Sequence, residues 1–223
     1  YRVVHARRVG YHPRWYQRFA EEYNLAVFPH SLRKARMILT GSAFTKRDLM
    51  EKFHISEQKI KVVYPANERG FQPASDPETV ARIRARVSSG REYILHFSSN
   101  DPRENTEVVL QAFEKLRTRL PSAVKLVIVG NNSTHRSRLP SELAQDHSVV
   151  WKSFVSDDEL IELYQGASLY VDPSLYEGFG FQLLEAMACG VPIIASNATA
   201  VPEVIQEAGI LIDPMDVDSL AGT

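Results

Sequence analysis

From residue 92 onward, short apolar runs alternate with longer segments whose apolar residues recur every three or four positions. The runs "YILHF", "KLVIV", "VVW", "SLYV", "PIIA" and "GILI" have the length of strands. Between them, segments such as "TEVVLQAFEKLRTRL" (106–120) and "DDELIELYQGA" (157–167) carry the helical period. Six such strands with intervening helices predict an α/β domain built on a mostly parallel, doubly wound, Rossmann-like sheet. Ligands of such sheets sit beyond the carboxyl ends of the strands, where loops lead into helices. "DPSLYEGFG" (172–180) is one of those loops, following "SLYV".

The first third has a different texture. The pattern predicts a helical stretch around Arg14 to Tyr23, a short buried strand "RMILT" at 36–40, and a helix from Thr45 to Phe53 with Ser42 near its cap. "KIKVVYPAN" (59–67) reads as a strand running into a turn, and "QPASDP" (72–77) as a connecting loop. A domain boundary near 66 follows, with 1–66 expected to be the tail of a larger domain and 67–223 a second one. The sequence opens without Met and stops at "DSLAGT" as another helix begins, so both domains are expected to be incomplete.

Composition narrows the field little. Of 223 residues, 44% are hydrophobic and 24% charged, as in ordinary globular chains. No apolar run reaches the roughly 18 residues that span a bilayer, and no secretory signal pattern is visible, so a cytoplasmic location is expected. Cys189 is the single cysteine, which rules out an intrachain disulfide and a cysteine-based zinc site, and it reads as a small buried hydrophobe. The net charge of -1 hides an asymmetry: residues 1–47 hold ten Lys or Arg against Glu21 and Glu22, a charge of +8. The remaining 16 basic and 25 acidic residues give -9, a poor match for nucleic acid. The basic segment is either a solvated helix face or a peripheral contact with an anionic membrane surface.

One helix raises a chemical question. From Gly180 to Ala188, "GFQLLEAMA" has two polar side chains, Gln182 and Glu185, three positions apart and so on one side. A helix apolar nearly all round is expected to be buried, so the strip must face a cleft, a polar ligand or an exposed edge. A carboxylate accepts hydrogen bonds only, and the vicinal diol of a ribose would satisfy it with two donors. Gly178 and Gly180 remove side chains at the entry to this helix, where backbone N–H groups and the helix dipole favour phosphate.

These residues carry a resemblance. The stretch 149–214, with "YEGFGFQLLEAMACGVP", is similar to the nucleotide-sugar-binding domain of the retaining GT-B glycosyltransferases of family 4, the glycosyl transferases group 1. Glu177 and Glu185 match the family's Glu-x7-Glu signature. The resemblance implies that Glu185 binds the ribose hydroxyls of a nucleoside diphosphate sugar and that Glu177 contacts the donor sugar near the reacting carbon. It also implies that the amides of Gly178, Phe179, Gly180 and Phe181 hold sugar and diphosphate oxygens. Base recognition in such sheets often falls to backbone groups near strand ends, here expected around Phe154 and Val155. The first third resembles the close of the acceptor domain, a second Rossmann-like unit, with His5 at the place of an active-site histidine and Ala6 where an Asp would follow.

A departure concerns the diphosphate grip. Family members follow the first strand with Gly-Arg and then a Lys, whereas "HFSSNDPRENTE" puts Ser98, Ser99 and Glu104 at those places. Either Arg103 and the serine hydroxyls take over, or donor binding is weaker, with Arg103 a surface residue at a helix start. The same stretch has no Gly-x-Gly-x-x-Gly, which argues against a nicotinamide enzyme. "DVD" (216–218) reads as a helix cap, not a metal site.

The reading that results is a glycosyltransferase moving a sugar from a UDP-, GDP- or ADP-linked donor to a glycan, lipid-linked or other acceptor. Retention of configuration is implied, and no metal or other cofactor is required. The alternatives are a non-catalytic nucleotide-sugar-binding module and a GT-B epimerase or phosphorylase.

Overall fold

The computed structural model describes residues 27–67, 70–99, 101–117, 119, 124–130, 143 and 147–223. His5 and the helical stretch expected at 14–23 lie outside the described residues. The chain divides into two units, Tyr1–Pro65 and Ala66–Thr223.

In the first unit, residues 27–34 are helical and are followed by β1 (Ile38–Thr40), α1 (Ala43–Phe53) and β2 (Ile60–Val62). The two strands pair in parallel, Ile38 opposite Ile60 and Thr40 opposite Val62. Helix α1 starts at Ser42, whose hydroxyl accepts from the Thr45 N–H at 3.0 Å, satisfying a donor that no helical carbonyl can reach. Leu49 on α1 packs with Leu32, Ile55 and Ile60 in a small core.

The second unit opens with α2 (Pro77–Ser88), where sequence reading stopped at a loop. Asp76 caps it by accepting from the Thr79 N–H at 2.7 Å, and Pro77 stands at the first helical position, where its missing N–H costs nothing. Then follow β3 (Tyr93–Phe97), α3 (Thr106–Leu116), β4 (Lys125–Val129), β5 (Val149–Lys152), α4 (Asp157–Gly166), β6 (Leu169–Asp172), α5 (Phe181–Ala188), β7 (Ile193–Ser196), α6 (Val201–Ile205), β8 (Ile210–Ile212) and α7 (Val217–Gly222). The six runs expected to be strands are strands, shifted by a residue or so at their ends. They form one sheet in the order β5-β4-β3-β6-β7-β8, parallel throughout.

Alternation along the strands sends side chains to two cores. Tyr93, Leu95, Val127, Tyr170 and Ile193 meet α2, α4, α5 and α6 on one face. Leu126, Ile128, Val149, Val171 and Ile194 meet α3 and α7 on the other. Covering on both faces explains why these strands are almost free of polar residues. Cys189 is buried on the first face, where burial pushes its thiol up to about 11.

The carboxyl end of the sheet depends on one glycine. Gly130, directly after β4, has φ +120°, and a Cβ there would run into the backbone carbonyl of Ser98 at the end of β3. Gly130→Ala is expected to cost about 2–4 kcal/mol, from strained backbone and a collision with main chain that cannot rotate away. Denaturant unfolding checks this; a midpoint within error of the parent would show that the β3 and β4 ends separate freely.

Candidate functional site

Strand order reverses between β3 and β6. The helix after β3 packs on one face of the sheet and the helix after β6 on the other, the arrangement at which sheets of this kind form a ligand crevice between the loops that follow the two strands. Both loops are pinned. The Leu175 N–H donates to the Arg103 carbonyl at 2.7 Å. The Asn105 amide donates to the carbonyls of Pro173 at 3.0 Å and Pro214 at 2.6 Å. Asn105 has φ 57°, a left-handed conformation that Asn tolerates better than most residues.

In the loop after β3, charges are paired among themselves. Arg103 donates from Nε to Asp101 Oδ1 at 3.0 Å and from Nη2 to Oδ2 at 2.8 Å, a bidentate fork. Ser99 donates from its hydroxyl to Glu104 Oε1 at 2.7 Å and from its amide to Oε2. Ser98 is buried, and its hydroxyl shares a 2.7 Å hydrogen bond with Thr106, which lies 3.0 Å from Nε2 of buried His96. The His96 Nδ1 is 3.0 Å from the Val171 carbonyl and must carry the hydrogen, because a carbonyl only accepts. Of the two serines weighed for the diphosphate grip, Ser98 is thus bonded into the interior and Ser99 donates to Glu104.

At the end of β6, buried Asp172 accepts from the Tyr170 hydroxyl at 3.3 Å, from the Ser174 N–H at 3.2 Å and from the Ser174 hydroxyl. Glu177 is half-buried, with its amide donating to the Thr199 hydroxyl oxygen at 2.9 Å. Burial pushes the Glu177 carboxyl up to about 7; the Asp172 and Glu104 charges push the same way, and Arg103 opposes them. Burial also raises the Glu104 carboxyl, against the lowering effect of its Ser99 hydrogen bonds. The structure therefore brings Arg103, Glu104, Asp172 and Glu177 together, and the Glu177 carboxyl holds its proton well above the usual carboxylate range.

Helix α5 starts at Gly180, whose φ of +97° suits glycine and where a Cβ would stand 2.8 Å from Leu183 Cδ1. Gly178 is exposed, Phe179 is buried and Phe181 is 53% exposed, the two rings meeting edge-to-face at 5.5 Å. The helix is thus not buried all round as expected: Phe181 and Gln182 are open at its first turn, while Leu183 and Ala186 enter the core. Val155 packs its side chain on the core beside Phe154, which is 92% exposed in the link between β5 and α4.

Glu185 is half-buried, and the hydroxyl of Tyr164 on α4 donates to its Oε2 at 2.8 Å. Sequence reading missed Tyr164. Its signal is a hydroxyl on the apolar stripe Leu160, Leu163, Tyr164, because a buried phenol needs a partner. Asp216 caps α7, accepting from Asp218 and Ser219 amides at 2.9 and 3.0 Å, as its position predicts.

Solved structures define the class. The fold matches a crystal structure of Anabaena Alr3699/HepE in complex with UDP and glucose, with a TM-score of 0.76 and 20% identity over 90% of this chain and 55% of that one. It also matches a glycosyltransferase from Rickettsia africae ESF-5, with a TM-score of 0.71 and 26% identity over 85% of this chain and 52% of that one. The fold is therefore of the GT-B type. A family model described as glycosyl transferases group 1 matches residues 79–223, and the chain belongs to that family. Among curated relatives, the O-antigen chain mannosyltransferase B of Escherichia coli is 31% identical over 95% of this chain and 55% of its own length. The chain spans about half the length of that relative and less of some others.

The elevated Glu177 carboxyl has a consequence for stability. Its pKa is higher folded than unfolded, so the folded state holds its proton more tightly and loses relative stability as pH rises from about 4.5 through about 7. Glu177→Gln removes the ionisable group. It is expected to melt higher than the parent at pH 8 by about 1–2 kcal/mol, allowing for solvent screening, and close to the parent at pH 4. A melting difference that stays constant across this range would place Glu177 in a water-like setting.

Proposed function

We propose that the second unit is the donor-binding half of a retaining glycosyltransferase that transfers a sugar from a nucleoside diphosphate to a glycan or lipid-linked acceptor. The observation that carries the reading is the placement of Glu177, Arg103 and the Gly178–Phe181 turn at the strand-order reversal. In this reading Glu185 holds the ribose diol, and Glu177 faces the donor sugar beside the reacting carbon. The Gly178, Phe179, Gly180 and Phe181 amides, at the positive end of α5, receive sugar and diphosphate oxygens. The departing diphosphate gains charge in the transition state, and oriented amides and Arg103 stabilise it without a metal. The mannosyltransferase names of several relatives favour a mannosyl donor. The first unit is proposed as the end of the acceptor domain, with His5 at its active site. The basic 1–47 segment would make the peripheral membrane contact of a cytoplasmic enzyme.

Titrating the full-length protein with UDP-, GDP- and ADP-sugars, alongside an assay of sugar transfer, tests the reading. Glu185→Ala should weaken nucleotide binding by about tenfold or more, the worth of a charge-assisted hydrogen bond. Unchanged affinity in a folded variant would remove Glu185 from the site.

A second reading, a nucleotide-sugar-binding module without turnover, is favoured by one feature. The Arg103–Asp101 fork and the Ser99–Glu104 pair leave the loop after β3 without the surplus positive charge that would attract a diphosphate. Ser99→Arg with Glu104→Lys should tighten nucleoside diphosphate binding clearly more than nucleoside binding, since only the former carries the charge. Equal effects on both at low salt would show that these positions face away from the ligand.

A further inference from the structure

Tyr164 joins the aromatic core of the second unit to the candidate site. Its ring is fully buried, with centroids 6.0 Å from Phe71, 5.4 Å from Phe97 and 5.8 Å from Tyr170. These three rings leave the phenol little freedom, so the direction of its O–H is set by the core. The hydroxyl lies 2.8 Å from Glu185 Oε2 and 3.3 Å from the Gln182 carbonyl, and its single hydrogen favours the nearer, charged acceptor.

We propose that Tyr164 is a positioning residue for nucleotide binding, holding one oxygen of Glu185 so that the carboxylate meets a ribose diol in a fixed orientation. This rests on the reading of Glu185 as the ribose-binding residue. A glutamate on a half-open helix side ordinarily samples several rotamers, and a ligand that selects one must offset the lost freedom. Here the core has already selected it. Burial and the Glu185 charge hold the Tyr164 hydroxyl far above the usual tyrosine range, so it stays protonated and remains a donor at every working pH. The hydroxyl of Tyr170, in the same cluster, donates to Asp172 Oδ2 at 3.3 Å.

Tyr164→Phe keeps the ring and deletes the hydroxyl. Titrations of the full-length protein with UDP, GDP and ADP, and with their 2′-deoxy forms, should show ribonucleotide affinity reduced about three- to tenfold, with a smaller loss for the deoxy forms. Added to Glu185→Ala, it should cost nothing further, because the group it orients is gone. A loss that persists undiminished on the Glu185→Ala background would make Tyr164 a residue of the fold alone. Parent-like binding by Tyr164→Phe beside a weakened Glu185→Ala would overturn the positioning role and leave the ribose reading intact. Parent-like binding by Glu185→Ala would overturn both.

Discussion

The second unit depends on a parallel sheet buried on both faces. No strand of such a sheet can spare many positions for charge, so polar chemistry is driven to the loops at its ends. The reversal of strand order between β3 and β6 then marks which loops matter, because there the helix after one strand packs on one face and the helix after its neighbour on the other. The Leu175–Arg103 and Asn105–Pro173 hydrogen bonds hold the two loops across that reversal. Gly130 lets the main chain after β4 pass Ser98 closely enough for the strands to reach the crevice together.

Desolvation sets the electrostatics of the crevice. Asp172 meets the cost of burial with donors from Tyr170 and Ser174, and Glu104 with both donors of Ser99. Glu177 is the carboxyl whose ionised form gains least, and its proton affinity rises accordingly. Arg103 serves several acidic neighbours at once, with Asp101 holding the fork. A crevice so balanced can accept a polyanionic ligand only by redistributing that charge, through the Arg103 fork, through protonation or through the amide donors at the start of α5. Membership of the glycosyl transferases group 1 makes this the main physical question about the site.

Much of the fold was legible because the two periodicities are strong in this chain. Period-two and continuous apolar runs marked all six strands of the sheet, and Ser42 and Asp216 marked helix starts through short side chains that satisfy free amides. The Gln182–Glu185 strip drew attention to helix α5 and the loop before it, since a polar strip on an apolar helix needs a partner. Helix α2 was missed because its Asp76-Pro77 start looks the same as a turn until the helix that follows is packed against the sheet.

What the sequence determined by itself was therefore local: which segments are the strands of the large sheet, where helices such as α1 and α7 begin, and which loop carries an acidic residue beside glycines. Only the tertiary structure decided pairing. That Ser99 turns to Glu104, Ser98 to Thr106 and Arg103 to Asp101 follows from loop geometry within a few residues, yet no periodicity encodes it. That Tyr164 reaches Glu185 from another helix, 21 positions away, depends on the packing of α4 and α5 on one sheet face. The physical reason is that hydrophobic pattern specifies which side of an element is buried, whereas the energy of a buried polar group depends on the atom opposite it, and that atom is chosen by the fold.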